Sequence, residues 1–237
     1  MRRTLDIDLC LLAAPLLLGI GALITVCVFL DSPGPVLYRS RRIGRGGRPF
    51  SMLKFRTMRH GSVGPPLSCF RDERFTPFGR ALALSRLDEL PQLVNILRGD
   101  MALVGPRPEL EEFVESYPEA YAVILQALPG LTGPAQLRFC GEGRVLAGSQ
   151  DRVALYTESI LPVKLGIDMD YVRTASLRRD LELLCWTLIL PARLGAHAYR
   201  AWRERLVVAA PAHATRLLVL ASVAAMLVFS LDAVAGL

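Results

Sequence analysis

Residues 9–30 read LCLLAAPLLLGIGALITVCVFL, a run of 22 residues that contains no charged side chain. As an α-helix this run would be about 33 Å long, which is enough to cross a hydrocarbon core of about 30 Å. The chain as a whole is 52% hydrophobic and its mean hydropathy is +0.35, values that are high for a protein that contacts only water. The sequence therefore predicts contact with a membrane before it indicates any chemistry.

The surroundings of this run favour a helix that enters and leaves the membrane on the same side. Pro15 lies inside the run, where it removes a backbone hydrogen bond and bends the helix. Basic residues flank both ends, namely Arg2 and Arg3 before it and Arg39, Arg41, Arg42, Arg45 and Arg48 after it. The positive-inside rule places both flanks in the cytoplasm, so we expect a re-entrant membrane helix over residues 1–31. A cleaved signal peptide is the alternative, but the run is long and ends in Asp31 instead of a small-residue cleavage site.

The pattern downstream predicts a mixed, mainly α-helical domain over residues 32–205 with one short β-hairpin. Strands are predicted over Val36–Arg41 and Phe50–Thr57, joined by the glycine-rich loop 44–47. Helices are predicted over Leu82–Leu97, Glu109–Leu128, Leu177–Leu190 and Ala198–Arg205. The last two helices carry Trp186 and Trp202, and tryptophan among arginines is typical of interfacial amphipathic helices.

A second apolar run covers Leu217–Leu237 and is interrupted only by Asp232. We expect it to form an additional membrane segment over residues 206–237. If it spans the bilayer, the arginines before it and the absence of basic residues after it place the C-terminus outside the cytoplasm. The alternative is an amphipathic helix that lies flat, for which residues 217–231 offer only Ser222 and Ser230 as a polar face.

The charge is +6 and is carried by arginine, because Lys54 and Lys164 are the only lysines. The arginine-rich stretch follows the hydrophobic run, which favours lipid head groups or phosphorylated substrates as partners over nucleic acid. No nucleic-acid-binding motif is present. The five cysteines form no CxxC pair and the three histidines are isolated, so neither a disulfide framework nor a zinc site is indicated.

Residues 85–108, SRLDELPQLVNILRGDMALVGPRP, carry the strongest indication of chemistry. Asp88 and Glu89 are adjacent carboxylates in an otherwise apolar helical stretch, closely followed by Pro91. Two acidic residues in the first turn of a helix are common, because the helix dipole favours them there. The surrounding sequence favours a catalytic site instead. A rigid loop follows at Gly105–Pro108, and four basic residues can supply cations: Lys54, Arg56, Arg107 and Arg144.

Four ordered stretches together resemble the bacterial sugar transferase family, the small monotopic phosphoglycosyl transferases. The resemblance covers roughly residues 5 to 200, and its motifs are long. They are SPGPVLYRSRRIGRGGRPFSMLKFRTM at 32–58, DELPQL…GDM.LVGPRP within 88–108, LPGLTGPAQ at 128–136 and LPVKLGIDMDYVRTASLRRDLELL at 161–184. One departure is visible, since Ala14 stands before Pro15 where many members of the family have serine.

The resemblance implies an enzyme of the bacterial inner membrane whose catalytic domain faces the cytoplasm. It implies that Asp88 attacks a UDP-sugar, that UMP leaves, and that the phosphosugar passes from Asp88 to polyprenol (undecaprenyl) phosphate. Glu89 is then the ligand of Mg²⁺, and Arg107 faces the nucleotide. Lys54, Arg56 and Arg144 are candidates for phosphate contacts. The sugar, the glycan pathway and the oligomeric state, a homodimer included, are not indicated by any motif.

Electrostatics agrees with this assignment. A carboxylate that attacks a diphosphate brings like charges together, and each pair at about 4 Å costs on the order of 4 kcal/mol at an effective dielectric near 20. Mg²⁺ and arginine donors offset that repulsion. A membrane-anchored scaffold that has lost activity is the alternative, and the intact Asp88, Glu89 and Arg107 argue against it.

Overall fold

The structure is a computed structural model that describes residues 2–69 and 72–193. The side chains of Arg144 and of residues 188–193 are not described. The predicted helix over Ala198–Arg205 and the apolar run Leu217–Leu237 lie outside the described residues, so both stay predictions, as do the domain boundaries at 31 and 205. The chain divides into two compact units, Met1–Ala175 and Ser176–Leu237.

The described residues are mainly helical and include four short strands. The strands are β1 (Leu37–Ile43), β2 (Pro49–Phe55), β3 (Ala102–Val104) and β4 (Gly130–Thr132). The helices of the first unit are α1 (Arg2–Asp31), α2 (Pro77–Ser85), α3 (Gln92–Arg98), α4 (Glu111–Ser116), α5 (Pro118–Ile124), α6 (Pro134–Arg138), α7 (Glu142–Leu146), α8 (Arg152–Leu155) and α9 (Leu161–Thr174). A π-helical turn, Tyr156–Ile160, joins α8 to α9. The second unit contributes α10 (Leu177–Arg193), which covers the helix predicted over Leu177–Leu190.

One side of helix α1 is less exposed than the other. It continues through Pro15 and is long and apolar enough to cross a membrane, as judged by length and composition. Buried or half-buried positions recur every three or four residues, at Arg3, Asp6, Cys10, Ala13, Leu17, Ile20, Ile24, Val28 and Asp31. This spacing describes one face of a helix. The opposite face is apolar and exposed, with Leu12 80% and Leu30 75% exposed.

Both ends of α1 contact the same compact unit. Near the start, the guanidinium of Arg3 donates to the carbonyls of Ile96 and Leu97 at the end of α3. Near the other end, Ile24 and Val28 pack with Phe55 and Leu82 in one apolar cluster. A helix whose two ends dock on one domain is compatible with the re-entrant topology, because a spanning helix would carry its ends to opposite sides of the bilayer. The bend at Pro15 stays a prediction.

The predicted β-hairpin is confirmed, with slightly different bounds. Strands β1 and β2 pair antiparallel, and Tyr38 lies opposite Lys54 in the register. The hairpin is tied to the helical part of the unit by two backbone hydrogen bonds, from Ile43 N to Glu109 O (3.0 Å) and from Gly46 N to Leu125 O (2.8 Å). It therefore holds Lys54 on β2 in a fixed position relative to the helices.

A second sheet, which the sequence did not predict, consists of β3 and β4 paired in parallel. It brings the Gly105–Pro108 loop against residues 130–133, with hydrogen bonds from Gly105 N to Thr132 O (2.9 Å) and from Gly130 N to Pro106 O (2.8 Å). A Cβ atom on Gly130 would lie 2.1 Å from Gly105 N, so only glycine permits this approach of the two backbones. The contact immobilises the loop that carries Arg107.

Two of the predicted helices are each broken into two. The stretch predicted as Leu82–Leu97 forms α2, then a 3₁₀ turn at Leu87–Glu89, then α3. The break lies at Arg86, whose φ of 61° is in the left-handed region and ends α2. The stretch predicted as Glu109–Leu128 forms α4 and α5, which are separated at Tyr117 because Pro118 begins a new helix.

An apolar core of the first unit lies among α4, α5, α7, α8, the π-helical turn and α9. Its most buried members include Phe113, Tyr121, Tyr156 and Leu161. The rings of Phe113 and Tyr156 pack tilted, with centroids 4.9 Å apart.

Candidate active site

The two adjacent carboxylates lie on the 3₁₀ turn between α2 and α3. Helix α2 begins at Pro77 with Thr76 as its N-cap, whose Oγ1 accepts a hydrogen bond from Gly79 N at 2.9 Å. It ends at Arg86, and the left-handed conformation there turns the chain so that Asp88 and Glu89 both point inward. Asp88 is 7% and Glu89 6% exposed. Two acidic side chains buried side by side require nearby cations, because a buried charge without a partner is strongly destabilising.

Glu89 is surrounded by three cationic side chains. Arg107 donates two hydrogen bonds to it, from Nη2 to Oε1 at 2.7 Å and from Nη1 to Oε2 at 3.3 Å. Lys54 Nζ lies 3.1 Å from Oε1, and Arg86 Nη1 lies 3.4 Å from the same oxygen. Burial alone would raise the pKa of Glu89, but Arg107 and Lys54 hold that pKa well below its usual range. Glu89 is therefore a stable anion whose two oxygens are both engaged.

Asp88 has much weaker contacts. Its Oδ2 is 3.9 Å from Lys54 Nζ, and its buried Oδ1 has no hydrogen-bond partner among the described residues. Burial raises the pKa of Asp88 above its ordinary value, although Lys54 opposes that shift. A carboxylate with a free oxygen beside a lysine and an arginine is poorly stabilised by the fold and is available to react. We refer to Lys54, Asp88, Glu89 and Arg107 as the dyad cluster.

The structure brings together four of the six residues predicted for the site, namely Lys54, Asp88, Glu89 and Arg107. Arg56 instead donates to the carbonyls of Ser32 and Pro33, just after α1, so it anchors the end of that helix. Its predicted contact with a phosphate stays a prediction. Arg144 lies in α7, and because its side chain is not described, its predicted role stays a prediction too.

Two neighbours of the dyad cluster were missed by the sequence reasoning. Arg86 contacts Glu89 and is the only non-glycine residue with positive φ in the described part of the chain. Gln92 is 0% exposed, and neither polar atom of its side chain has a partner among the described residues. The signal for Gln92 was its position, one turn after the Asp88–Glu89 pair.

The exposed positions of the same helical stretch include four large apolar side chains next to Ser85, Arg86 and Arg98. Leu84 is 60%, Leu87 38%, Val94 41% and Leu97 41% exposed, whereas the inner face carries Asp88, Glu89, Gln92 and Asn95. A helix on the surface of a water-soluble protein has the opposite arrangement. Exposed apolar side chains that flank a buried polar site indicate contact with lipid or another apolar surface.

A second buried charge cluster lies two residues beyond Arg107. Glu109 accepts from Tyr156 Oη at 2.6 Å and pairs with Arg42 Nη1 at 3.4 Å and Lys164 Nζ at 3.6 Å. Lys164 also donates to Tyr156 Oη at 2.9 Å and to Glu142 Oε2 at 3.2 Å. Burial alone would raise the pKa of Glu109, but Lys164 and Arg42 hold that pKa below its usual value. We refer to Arg42, Glu109, Tyr156 and Lys164 as the Glu109 cluster.

The fit of Mg²⁺ can be judged from the donor set. Within residues 2–69 and 72–193, no group of three or more His, Cys, Asp or Glu side chains could hold a metal ion. Mg²⁺ requires fewer protein ligands than that, because it is often held by one or two carboxylates together with substrate phosphates and water. Asp88 and Glu89 supply oxygen donors of this kind, and Asp88 Oδ1 is unpartnered among the described residues. They fit a Mg²⁺ ion shared with a phosphorylated substrate, provided that Glu89 releases part of its contact with Arg107.

Known proteins with similar sequences include several transferases. One is a UDP-glucose:undecaprenyl-phosphate glucose-1-phosphate transferase of Caulobacter vibrioides, 41% identical over 193 residues, which are 79% of this chain and 68% of that protein. Another is a UDP-N-acetylgalactosamine-undecaprenyl-phosphate N-acetylgalactosaminephosphotransferase of Aeromonas hydrophila, 37% identical over 58% of this chain but only 34% of that protein. A third is the exopolysaccharide production protein ExoY of Rhizobium meliloti, 37% identical over 75% of this chain and 77% of that protein.

The sequence profile described as bacterial sugar transferase matches residues 1–192 of this chain. The match includes α1, the hairpin, the dyad cluster and the Glu109 cluster, and it ends near the last described residue of α10. Together with the relative that is 41% identical, this match shows that the chain is a member of the bacterial sugar transferase family.

Proposed function

We propose that this protein transfers a sugar 1-phosphate from a UDP-sugar to polyprenol phosphate, with undecaprenyl phosphate as the acceptor, through a covalent intermediate on Asp88. The observation that carries the proposal is the unpartnered, buried Oδ1 of Asp88 beside Lys54 and the Glu89–Arg107 ion pair. The names of the relatives, which specify UDP-sugars and undecaprenyl phosphate, support the choice of substrates.

In the first step, an oxygen of the Asp88 carboxylate attacks the phosphorus that bears the sugar. A new bond forms between that oxygen and phosphorus, and the bond from phosphorus to the bridging oxygen breaks. UMP leaves with the electron pair of the broken bond, and a phosphosugar remains on Asp88. Lys54, 3.9 Å from Asp88 Oδ2, and Arg107 are the cations that offset the charge gathered at the reacting phosphorus.

In the second step, an oxygen of polyprenol phosphate attacks the same phosphorus. The bond to Asp88 breaks, and Asp88 leaves as a carboxylate, ready for the next turnover. The product is a polyprenol diphosphate sugar. A two-step route allows a water-soluble donor and a lipid acceptor to use one site in turn. A direct one-step transfer would require both substrates in the site at the same time.

We propose Glu89 as the protein ligand of a Mg²⁺ ion that arrives with the diphosphate. When bound, the ion supplies positive charge that offsets the repulsion between the diphosphate and Asp88. Removal of Mg²⁺ with a chelator should stop UMP release. Glu89→Gln should lower activity and raise the magnesium concentration needed for half-maximal rate. Wild-type activity that survives chelation unchanged would contradict this role.

We propose that the catalytic unit lies on the cytoplasmic face of the inner membrane, with the exposed sides of α1 and of the α2–α3 stretch in the lipid. Support comes from the apolar residues exposed on both surfaces and from the docking of both ends of α1 on one unit. Single cysteines placed at residues 2 and 45 in a cysteine-free background should both react with a reagent supplied from the cytoplasm. Labelling of residue 2 from outside would contradict the re-entrant topology.

The test of the proposed function uses full-length protein in detergent or nanodiscs. UMP release is measured with a panel of UDP-sugars, with and without undecaprenyl phosphate, and intact-protein mass spectrometry follows the covalent adduct. We expect one UDP-sugar to give UMP and a phosphosugar adduct, and undecaprenyl phosphate to remove the adduct. If UMP forms only when both substrates are present and no adduct is detected on any timescale, the two-step route is wrong.

A further inference from the structure

Helix α3 carries two buried amide side chains one turn apart, Gln92 and Asn95, and both are 0% exposed. Asn95 has a full set of partners. Its Oδ1 accepts from Leu53 N at 3.0 Å, and its Nδ2 donates to Ser51 O at 2.8 Å and to Asp100 Oδ2 at 3.2 Å. Asn95 therefore links α3 to strand β2 and contributes to the stability of the fold.

Gln92 is the opposite case. Its Oε1 and Nε2 are both buried, and neither has a hydrogen-bond partner among the described residues. A buried amide without partners is destabilising, and an apolar side chain of the same size would remove that penalty. A side chain that lowers stability in this way is a candidate for a role in function.

The position of Gln92 relative to Asp88 limits what that role is. From Leu87 into α3 the hydrogen bonds are of the 3₁₀ type as far as Val94, so residues three apart share a face. Residues 89, 92 and 95 are therefore aligned: at one end of this face Glu89 bonds to Lys54 of β2, and at the other end Asn95 bonds to Ser51 and Leu53 of β2. Gln92 lies between the two, one turn after the pair of carboxylates.

We propose that Gln92 binds the phosphoryl group while it is attached to Asp88, with Nε2 donating a hydrogen bond to a non-bridging phosphoryl oxygen. This inference rests on the proposed function. A single phosphoryl ligand engages two atoms that otherwise lack a partner among the described residues, Oδ1 of Asp88 and Nε2 of Gln92. The phosphorus forms its bond to Asp88, and one of its oxygens accepts from Gln92.

A neutral amide donor suits this position. Lys54 and Arg107 already contact Glu89, and a further cation would compete for that carboxylate. An amide donates a directed hydrogen bond without adding charge. It can therefore stabilise the transition state at phosphorus without slowing the release of the anionic product UMP. Gln92 is expected to act on the chemical step more than on the binding of the UDP-sugar.

The experiment compares Gln92→Met with Asn95→Met in the full-length protein in detergent. Methionine approximates the size of glutamine but neither donates nor needs a hydrogen bond. For Gln92→Met we expect Tm to rise by about 3 °C, because the unpartnered amide is gone. We expect the rate of UMP release in the first turnover to fall by about 10²-fold, as for the loss of one donor to a transition state. The apparent KM for the UDP-sugar should change less than about threefold.

Asn95→Met is the matched control, since it removes an equally buried amide whose partners are known. Its Tm should fall, because the N–H of Leu53 and the carbonyl of Ser51 lose their partner. A purely structural Gln92 would behave in the same way, so a lower Tm for Gln92→Met would overturn the inference. UMP release at the wild-type rate by Gln92→Met would also overturn it. A wild-type protein that releases no UMP from any UDP-sugar would overturn the proposed function itself, and this inference with it.

Discussion

The dyad cluster and the Glu109 cluster contain the same kinds of side chain, yet their hydrogen bonding differs. Each combines a lysine and an arginine with a buried carboxylate, and both lie within one compact unit. In the Glu109 cluster the carboxylate is bonded at both oxygens, and Lys164 has three partners. In the dyad cluster Glu89 is bonded equally well, but Asp88 beside it has one oxygen without a partner.

This difference is the one expected between a structural ion cluster and the reactive cluster that we propose. A buried carboxylate with complete hydrogen bonds is held by the fold and gains nothing from a ligand. A buried carboxylate with an unpartnered oxygen is destabilising until a ligand supplies the missing contact. The two clusters are joined by the short segment from Arg107 to Glu109, so the Glu109 cluster fixes the position of an arginine that the dyad cluster uses.

The largest expected effect is the loss of activity in Asp88→Asn. The amide keeps the shape of the carboxylate but not its nucleophilic oxygen, so UMP release should fall at least about 10³-fold and the adduct should be absent by mass spectrometry. Thermal stability should be unchanged or higher. Asp72→Asn is the matched control, because Asp72 is also buried but is bonded by Arg74 at 2.7 Å. It should retain UMP release. An Asp88→Asn protein that forms the adduct would contradict the assignment.

The second largest expected effect is on the stability of the fold. Glu109→Gln should lower the free energy of unfolding by about 3 kcal/mol, because Arg42 and Lys164 lose a buried anion. In thermal unfolding this corresponds to a Tm lower by roughly 6–12 °C. Glu111→Gln serves as the control, since its ion pair with Arg41 is exposed at both ends, and the change in its free energy of unfolding should stay below about 0.5 kcal/mol. If the two substitutions lowered the free energy of unfolding equally, the Glu109 cluster would not have the structural role assigned to it.

The smallest effect is expected for Arg107→Lys. Lysine cannot reproduce the two hydrogen bonds that Arg107 donates to Glu89, and a point charge orients a phosphate less well than a guanidinium does. The apparent KM for the UDP-sugar should rise by about tenfold, which corresponds to about 1.4 kcal/mol. Arg48→Lys, on the exposed end of the hairpin, should leave the apparent KM unchanged. If both variants bind alike, Arg107 does not contact the nucleotide.

The elements that follow local rules were predictable from the sequence. The hairpin was predicted from its alternation and glycine-rich loop. Asp88 and Glu89 were singled out by the cations and the rigid loop near them in the sequence and by the resemblance to the family, because a pair of acidic residues in a helical stretch is common by itself. The break at Arg86 was not predictable by such rules, because a non-glycine residue rarely adopts positive φ. It is the break that turns the two carboxylates inward.

Features that depend on distant parts of the chain were also missed. The parallel pairing of β3 with β4 involves strands of three residues each and depends on the close approach of Gly105 and Gly130. The Glu109 cluster joins residues 42, 109, 156 and 164, which no local pattern connects. Arg56 donates to carbonyls at the end of α1, a contact that no local pattern in the sequence indicated.

The one-sided packing of α1 has a consequence for how the protein is made. Helix α1 leaves the ribosome before the elements it packs against, and Arg3 is bonded to carbonyls 93 and 94 residues further along the chain. At a synthesis rate of about 5–20 residues per second, those partners follow roughly 5–20 seconds later. During that interval, the side of α1 that later packs against the catalytic unit needs another apolar environment, which the bilayer supplies if α1 lies in the membrane as we propose. Insertion of α1 into the membrane would then precede the folding of the catalytic unit, which would assemble against a helix already in place.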